Sequence, residues 1–458
     1  MASIIQKGKS YYVVYSYQGD DGKRKQKWEC FKTSAEAKKR QAEVAYKEQN
    51  GTLFVPKCRT LDELLDEYIN LYGKTKWSLS TYSSNVALIG HYIRPKIGTM
   101  KLTDINTRVI ERYYQSLLKT EAVPNNALKP KKKLLTPNTV SDIHKILRSC
   151  LNQVVKWDMM TKNPAANAMI PKAESAKREI WTAEMLFDAL HMCDNPRLAL
   201  ALNIAFCCSL RIGELLGLTW DCVDISEESI ASGTASVRIE KELQRVNRNT
   251  LNALEGKDVL LQFPATSSKT ATVLVLKTPK TESSVRKVFM PKAVAEMLSA
   301  WKRSQDETIE LLGDEYHNYN LVFAGSLGLP TESSTITGAL KRLIKENDLP
   351  PVVFHSFRHS SITYKLKLNG GDIKAVQGDS GHSQVRMVTD VYSHILDDDR
   401  KNNAQLFQEA FYDHKPAKKP EQELNLPDGL TPETLSAMLA DPEMSALLSM
   451  LANKLNKK

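Results

Sequence analysis

Polar and apolar positions alternate over residues 1–32, where Tyr11, Tyr12, Tyr15 and Tyr17 lead to a turn at Gly19-Asp20-Asp21-Gly22 and then to Lys23-Arg24-Lys25-Gln26-Lys27-Trp28. That pattern predicts two strands around a Gly/Asp turn, a third strand near 28–31 and a helix over about 34–49. Beyond Pro56 the period lengthens. Thr60-Leu61-Asp62-Glu63 is a capping box, and it opens an apolar helical face of Leu61, Leu64, Leu65, Tyr68, Ile69 and Tyr72. Further helices are expected near 80–92, 107–118 and 139–157, the last two joined by a loop carrying Lys129, Lys131, Lys132 and Lys133. Pro164, Pro171 and the charged stretch 172–179 read as a linker.

Helices over 183–192 and 196–208 follow, then alternating segments at 235–239, 273–276 and 285–290, then helices again from Pro291. The polar excursion 226–284 reads as an elaborated sheet with flexible loops. A Pro/Lys/Glu linker from 415 to 427 leads to two short helices, each with proline at its first position, opened by Thr431-Pro432-Glu433 and Asp441-Pro442-Glu443. The fold class expected is therefore multidomain α+β: a small β-sheet and helix module (1–55), an all-α domain (58–170), a mixed α/β domain (178–414), and a linker with a helical tail (415–458).

Composition agrees and adds a partner class. A chain of 458 residues exceeds what one hydrophobic core supports, so several domains are the prior. A formal charge of +10 and a pI near 9.0 favour a polyanionic partner. Eleven Lys/Arg against six Asp/Glu in the first 50 residues place half of that excess in the first module. The start of the chain has Lys7 and Lys9 but no apolar core, and the longest apolar run, 198–210, is broken by Asn203, so neither a signal peptide nor a membrane span is expected. Seven cysteines without a Cys-x-x-Cys pair suit a reducing cytoplasm, with Cys207 and Cys208 read as core helix residues.

The chemistry-bearing residues gather late in the chain. His355-Ser356-Phe357-Arg358, Gly381-His382 and Tyr392 lie within forty residues, and Arg211 lies upstream in Ser209-Leu210-Arg211-Ile212-Gly213-Glu214. Two guanidinium forks can hold the non-bridging oxygens of a phosphodiester, imidazoles can move protons, and a phenol can become a covalent phosphoester. Tyrosine, with a reference pKa of about 10, needs cationic neighbours or a base to attack. His355 and Arg358, three apart, share a helix face. An isolated Arg211 would read equally as a salt bridge to Glu214. Lys280, in Thr278-Pro279-Lys280-Thr281, can bring an ammonium to a leaving oxygen from a turn between strands, with Lys277 and Lys287 as rivals. His355 and His359 have the spacing of paired zinc ligands, with His382 as a third, but Ser356 stands where a zinc hydrolase has glutamate. Gly8-Lys9-Ser10 imitates the end of a phosphate loop whose first glycine would fall at Ser3.

On these motifs the chain resembles the tyrosine recombinase, or phage-type integrase, family: Arg211 in its Leu-Arg-x-x-Glu turn, Lys280, the pair His355 and Arg358, His382 in Gly-His-Ser, and Tyr392 in Tyr-x-His occur in the family's order. Two departures are Ser209, where a glycine is usual, and Asp379-Ser380, where an apolar pair is usual. The resemblance implies an arm-site-binding module, a helical core-binding domain and a catalytic domain. It implies strand exchange through a 3′-phosphotyrosyl link, with no metal or other cofactor. Implied partners are double-stranded DNA attachment sites of core and arm type, a homo-tetramer on paired DNA, and an accessory bending or directionality factor; residues 428–455 read as a packing element between subunits or as a helical hairpin folded back on its own domain. The cytoplasm of a bacterial host is the implied setting. A type IB topoisomerase shares the chemistry, and a DNA-binding regulator could share the fold; the first module argues against the former and the filled catalytic positions against the latter.

Overall fold

The computed structural model describes residues 2–18, 24–49, 60–124, 132–157, 159–172, 180–265 and 270–381, with isolated positions beyond 384. His382, Tyr392, the loop residues 125–131, the linker at 173–179 and most of the tail lie outside the described residues.

Three antiparallel strands, β1 (Ser3–Lys7), β2 (Ser10–Gln18) and β3 (Arg24–Phe31), form the first sheet in that order. The third strand expected at 28–31 is the end of the strand that begins at Arg24; the additional strand precedes Gly8, whose φ of +59° makes the turn into β2. Register sorts the two faces. Val13 and Tyr15 join Ala37 and Val44 of the Ser34–Gln49 helix in a small core, and Glu29 on that face bonds Tyr15 Oη at 2.7 Å and Arg40 Nε at 2.7 Å. Ile5, Tyr12 and Trp28 belong to the other face.

The helical region begins at the capping box: Thr60 Oγ1 accepts from Glu63 N while the Glu63 carboxylate accepts from Thr60 N. Leu61, Leu64, Leu65 and Tyr68 of the Leu61–Tyr68 helix are buried, on the expected period. The helix expected over 80–92 starts at Leu79 and continues in wider turns over Ile89–Gly98, with Pro95, which offers no N–H to the ladder, inside it. Thr107–Leu117 and Pro137–Lys156 complete this core.

Two further sheets build the mixed region. One has the order β4 (Val223–Asp224), β5 (Ser236–Ile239), then the late strand Arg286–Phe289; the other is made from β6 (Glu242–Asn247), β7 (Val259–Gln262) and β8 (Thr272–Lys277), with β8 in the middle. Arg286–Phe289 is β9. The excursion is thus a sheet of its own. Its inner residues Val246, Leu251, Leu254, Val273 and Val275 are buried in the same apolar cluster as the helical region, and Lys257 Nζ donates to the Thr75 carbonyl at 2.6 Å. At its other end β6 lies on the short helix Ile212–Leu216, so close that a Cβ at Gly217 would sit 2.6 Å from Leu243 N. Of the described residues, no helix is long and apolar enough to cross a membrane.

Candidate active site

Arg211 is placed by the break between two helices. Pro196–Cys207 ends, Ser209 turns the chain, and Arg211 becomes the N-cap of Ile212–Leu216. Ser209 sits at φ 54°, the left-handed region that glycine occupies without cost, which explains why glycine suits this position. Its hydroxyl shares a 2.7 Å hydrogen bond with Ser361 Oγ, and that contact offsets part of the strain. Arg211 N donates to Glu214 Oε2 at 3.1 Å and its guanidinium pairs with Glu214 Oε1 at 2.5 Å. The salt bridge to Glu214 therefore exists, yet the Arg211 side chain is 35 % exposed, so its fork still faces solvent.

Arg358 lies on the Phe354–Leu368 helix, which is anchored by Phe354 and Phe357 in the main core and by Ser360 Oγ donating to the Trp181 carbonyl at 2.6 Å. Only 1 % of Arg358 is exposed. It donates to the carbonyls of Ser209 and Ser380, tying the turn before Arg211 to the end of the Ile373–Ser380 helix. Burial, then the nearby Arg211 and Arg286 charges against the opposing pull of Glu214, push Arg358 down to about 9. The guanidinium stays charged at neutral pH, but in surroundings short of negative charge, which a bound anion such as a phosphate would relieve.

A third arginine completes the cluster. Arg286 donates from Nε to the Asp379 carbonyl at 2.7 Å, from Nη1 to the Ser284 carbonyl at 2.8 Å and from Nη2 to Glu214 Oε2 at 3.0 Å. Sequence reasoning missed it as a site residue. The available signal was strand parity: Arg286 shares the inward side of β9 with buried Val288, while Lys287 and Phe289 face out. Glu214, itself buried, faces Arg286 and Arg211; burial alone would raise its carboxyl, and the two guanidinium groups outweigh that and hold it below the ordinary carboxylate range. The stabilisation from this pairing is present above the ordinary carboxylate pKa and is lost as pH falls through the lowered folded value.

The lysines separate by environment. Lys277 is buried and donates to Glu242 Oε1 at 2.7 Å and to the Thr278 carbonyl at 2.8 Å, whereas Lys287 lies 4.9 Å from the centre of the Phe289 ring. Lys280 is exposed in the turn between β8 and β9. His355 is exposed on the helix of Arg358, its ring edge-on to His359 with centroids 4.8 Å apart. The polar pair Asp379-Ser380 is accommodated: Lys365 Nζ bonds the Asp379 carboxylate at 2.6 Å, and Ser380 is fully buried with its carbonyl on Arg358. Gly381 follows at φ +64°, where a Cβ would lie 2.9 Å from the Ser283 carbonyl and 3.0 Å from the Arg286 side chain. The chain thus leaves toward His382 pressed against Arg286 and the lysine turn. His382 and Tyr392 lie outside the described residues.

A second surface carries chemistry of a different kind. On the face of the first sheet away from its helix, Trp28 is 45 % exposed, Lys7 Nζ lies 4.7 Å from its ring centre and Tyr12 meets it edge-on at 6.2 Å. Cations interleaved with aromatics on an open sheet suit a phosphate backbone.

Comparison with known proteins gives three family matches: the Arm DNA-binding domain over residues 3–47, the Phage integrase, N-terminal SAM-like domain over 60–118, and the Phage integrase family over 259–399. The last spans Lys280, His355, Arg358, His382 and Tyr392, and Arg211 precedes it. A protein of Caldanaerobacter subterraneus subsp. tengcongensis described as "Tyrosine recombinase XerC-like" is 24% identical over 421 residues, 89% of this chain and 98% of that one. The ICEBs1 integrase of Bacillus subtilis is 24% identical over 272 residues, 59% of this chain and 65% of that one. Among solved structures, the Tn1549 transposon integrase in complex with a circular intermediate DNA superposes with a TM-score of 0.57 at 18% identity, covering 76% of this chain and 100% of that one.

Proposed function

We propose, for a chain that belongs to the phage integrase family of tyrosine recombinases, that Tyr392 attacks a scissile phosphate held between Arg211 and Arg358. The protein is a tyrosine-type site-specific recombinase that cuts and rejoins DNA in the integration and excision of mobile DNA. The observation that carries the site assignment is the cluster of Arg211, Arg286 and Arg358 around the carboxylate of Glu214, which among the described residues leaves a surplus of fixed positive charge, with an exposed turn lysine and an exposed histidine on the same elements.

The reaction balances without an external reagent. The phenol oxygen of Tyr392 forms a bond to phosphorus as the bond from phosphorus to the 5′ oxygen breaks; His355 accepts the phenolic proton and Lys280 supplies one to the leaving oxygen. Arg211 and Arg358, with His382, stabilise the charge that builds on the non-bridging oxygens. A 5′-hydroxyl from the partner strand then reverses the step and releases the tyrosine. One phosphodiester is exchanged for another, so no ATP is consumed, and the residues supply charge stabilisation and proton transfer themselves.

In this reading the helical region and the mixed region hold each core site between them, the first module holds an arm site through the Trp28 face, and four copies act on paired sites in the bacterial cytoplasm, with an accessory bending or directionality factor setting direction. The reading is tested with the full chain, EDTA and plasmids bearing one or two attachment sites mapped by nuclease protection. Exchange between paired sites is expected. Relaxation of one-site plasmids without exchange would identify a topoisomerase instead.

The first module allows a separate test. Deleting residues 1–55 is expected to abolish the arm-site footprint while leaving cleavage of an isolated core site largely intact, because the candidate catalytic positions begin at Arg211. An arm footprint unchanged by the deletion would show that the sheet has no part in binding.

A further inference from the structure

Lys280 stands in a turn that projects from β8 and β9, and an exposed lysine on a turn is a poor general acid unless the turn is fixed to within a fraction of an ångström of the leaving oxygen. Arg286 supplies that fixation from three directions. Nη1 holds the Ser284 carbonyl inside the turn, Nη2 holds Glu214 and through it Arg211, and Nε holds the Asp379 carbonyl at the end of the helix that leads to Gly381. With 6 % of its side chain exposed, Arg286 spends its donors on these three protein acceptors. Thr281 Oγ1 braces the turn from within, sharing hydrogen bonds with Ser283 Oγ at 3.1 Å and Ser284 Oγ at 2.9 Å. Gly381 closes the assembly: its missing side chain is what lets the Ser283 carbonyl and Arg286 approach.

We propose that Arg286 is a positioning residue that locks the Lys280 turn to the Arg211–Glu214 pair, so that proton delivery to the leaving oxygen and charge stabilisation at the phosphate are held in one register. The proposal rests on the reading of Lys280 as the general acid. Lysine at position 286 keeps the positive charge near Arg358 but cannot reach three acceptors in three directions, so Arg286→Lys removes the geometry and keeps the field.

A leaving group that needs no proton separates this role from a merely structural one. Single-turnover cleavage by the full chain is measured on a suicide duplex carrying either the ordinary 5′ oxygen or a 5′-bridging sulfur at the scissile position; the sulfur departs as a thiolate, without an acid. Arg286→Lys is expected to slow oxygen cleavage by about 10²-fold, the usual contribution of a general acid, and to cleave the sulfur substrate at close to the wild-type rate. Equal losses on both substrates would overturn the proposal. Lys280→Ala is run beside it: failure of sulfur to rescue that variant overturns the general-acid reading itself, and the two failures are thereby distinguished. If Arg286→Lys does not fold by thermal melting, Thr281→Val at an exposed position carries the test. It is expected to give a smaller loss confined to the oxygen substrate, and absence of any oxygen-specific loss counts against the proposal.

Discussion

Tyr392→Phe is expected to bind a core site as the wild type does and to form no covalent complex with it. Phenylalanine differs from tyrosine only in lacking the phenolic oxygen, so binding is expected to persist while the atom that would bond to phosphorus is gone. Loss of a nucleophile of this kind costs at least about 10⁴-fold in rate, because the remaining groups have nothing to activate. Gel shift and denaturing electrophoresis on one nicked suicide substrate, in EDTA, give both readouts. Covalent product from the phenylalanine variant at the wild-type level would remove Tyr392 from the mechanism.

Arg358→Lys is expected to lower cleavage by about 10² to 10³-fold, the scale of losing one preorganised donor to a developing charge, with much less effect on core-site binding. The asymmetry follows from the position of the residue. Arg358 is buried, linked to the carbonyls of Ser209 and Ser380, and pushed down to about 9 by burial and neighbouring guanidinium groups. In the proposed mechanism it would make one contact among the many that hold a duplex, whereas the charge it would meet grows in the transition state. Lysine is a point charge and cannot keep both carbonyl ties while offering a fork to the phosphate. Single-turnover rates at saturating protein check this; a rate within tenfold of the wild type would show that Arg358 only braces the turn.

What could be read from the sequence was what is local. The Thr60 capping box, the apolar period of Leu61, Leu64, Leu65 and Tyr68, and the helix after Ser34 depend on neighbours three or four residues away, and all are in the structure. Arg211, Lys280, His355 and Arg358 could be singled out because their order and spacing follow a family pattern. Arg286 was not legible in the same way: its partners Glu214 and Asp379 are 72 and 93 residues distant, so only the folded chain reveals that a strand arginine ties these two segments together. The excursion sheet shows the same limit. Its alternating residues Val273 and Val275 announce a strand, but not that their buried side joins the apolar cluster of helices more than a hundred residues earlier. Ser209 is a third case, since its left-handed backbone and its bond to Ser361 arise from tertiary closure over 152 residues.

The chemical identity of the covalent link tests the assignment of Tyr392 most directly. A trapped complex formed by the wild type on a suicide substrate, digested with nuclease and trypsin, should yield a nucleotide joined through its 3′ phosphate to the peptide 387–400, with fragmentation placing the added mass on Tyr392. A link through a 5′ phosphate, or the added mass on Ser393, His394 or any other residue, would contradict it.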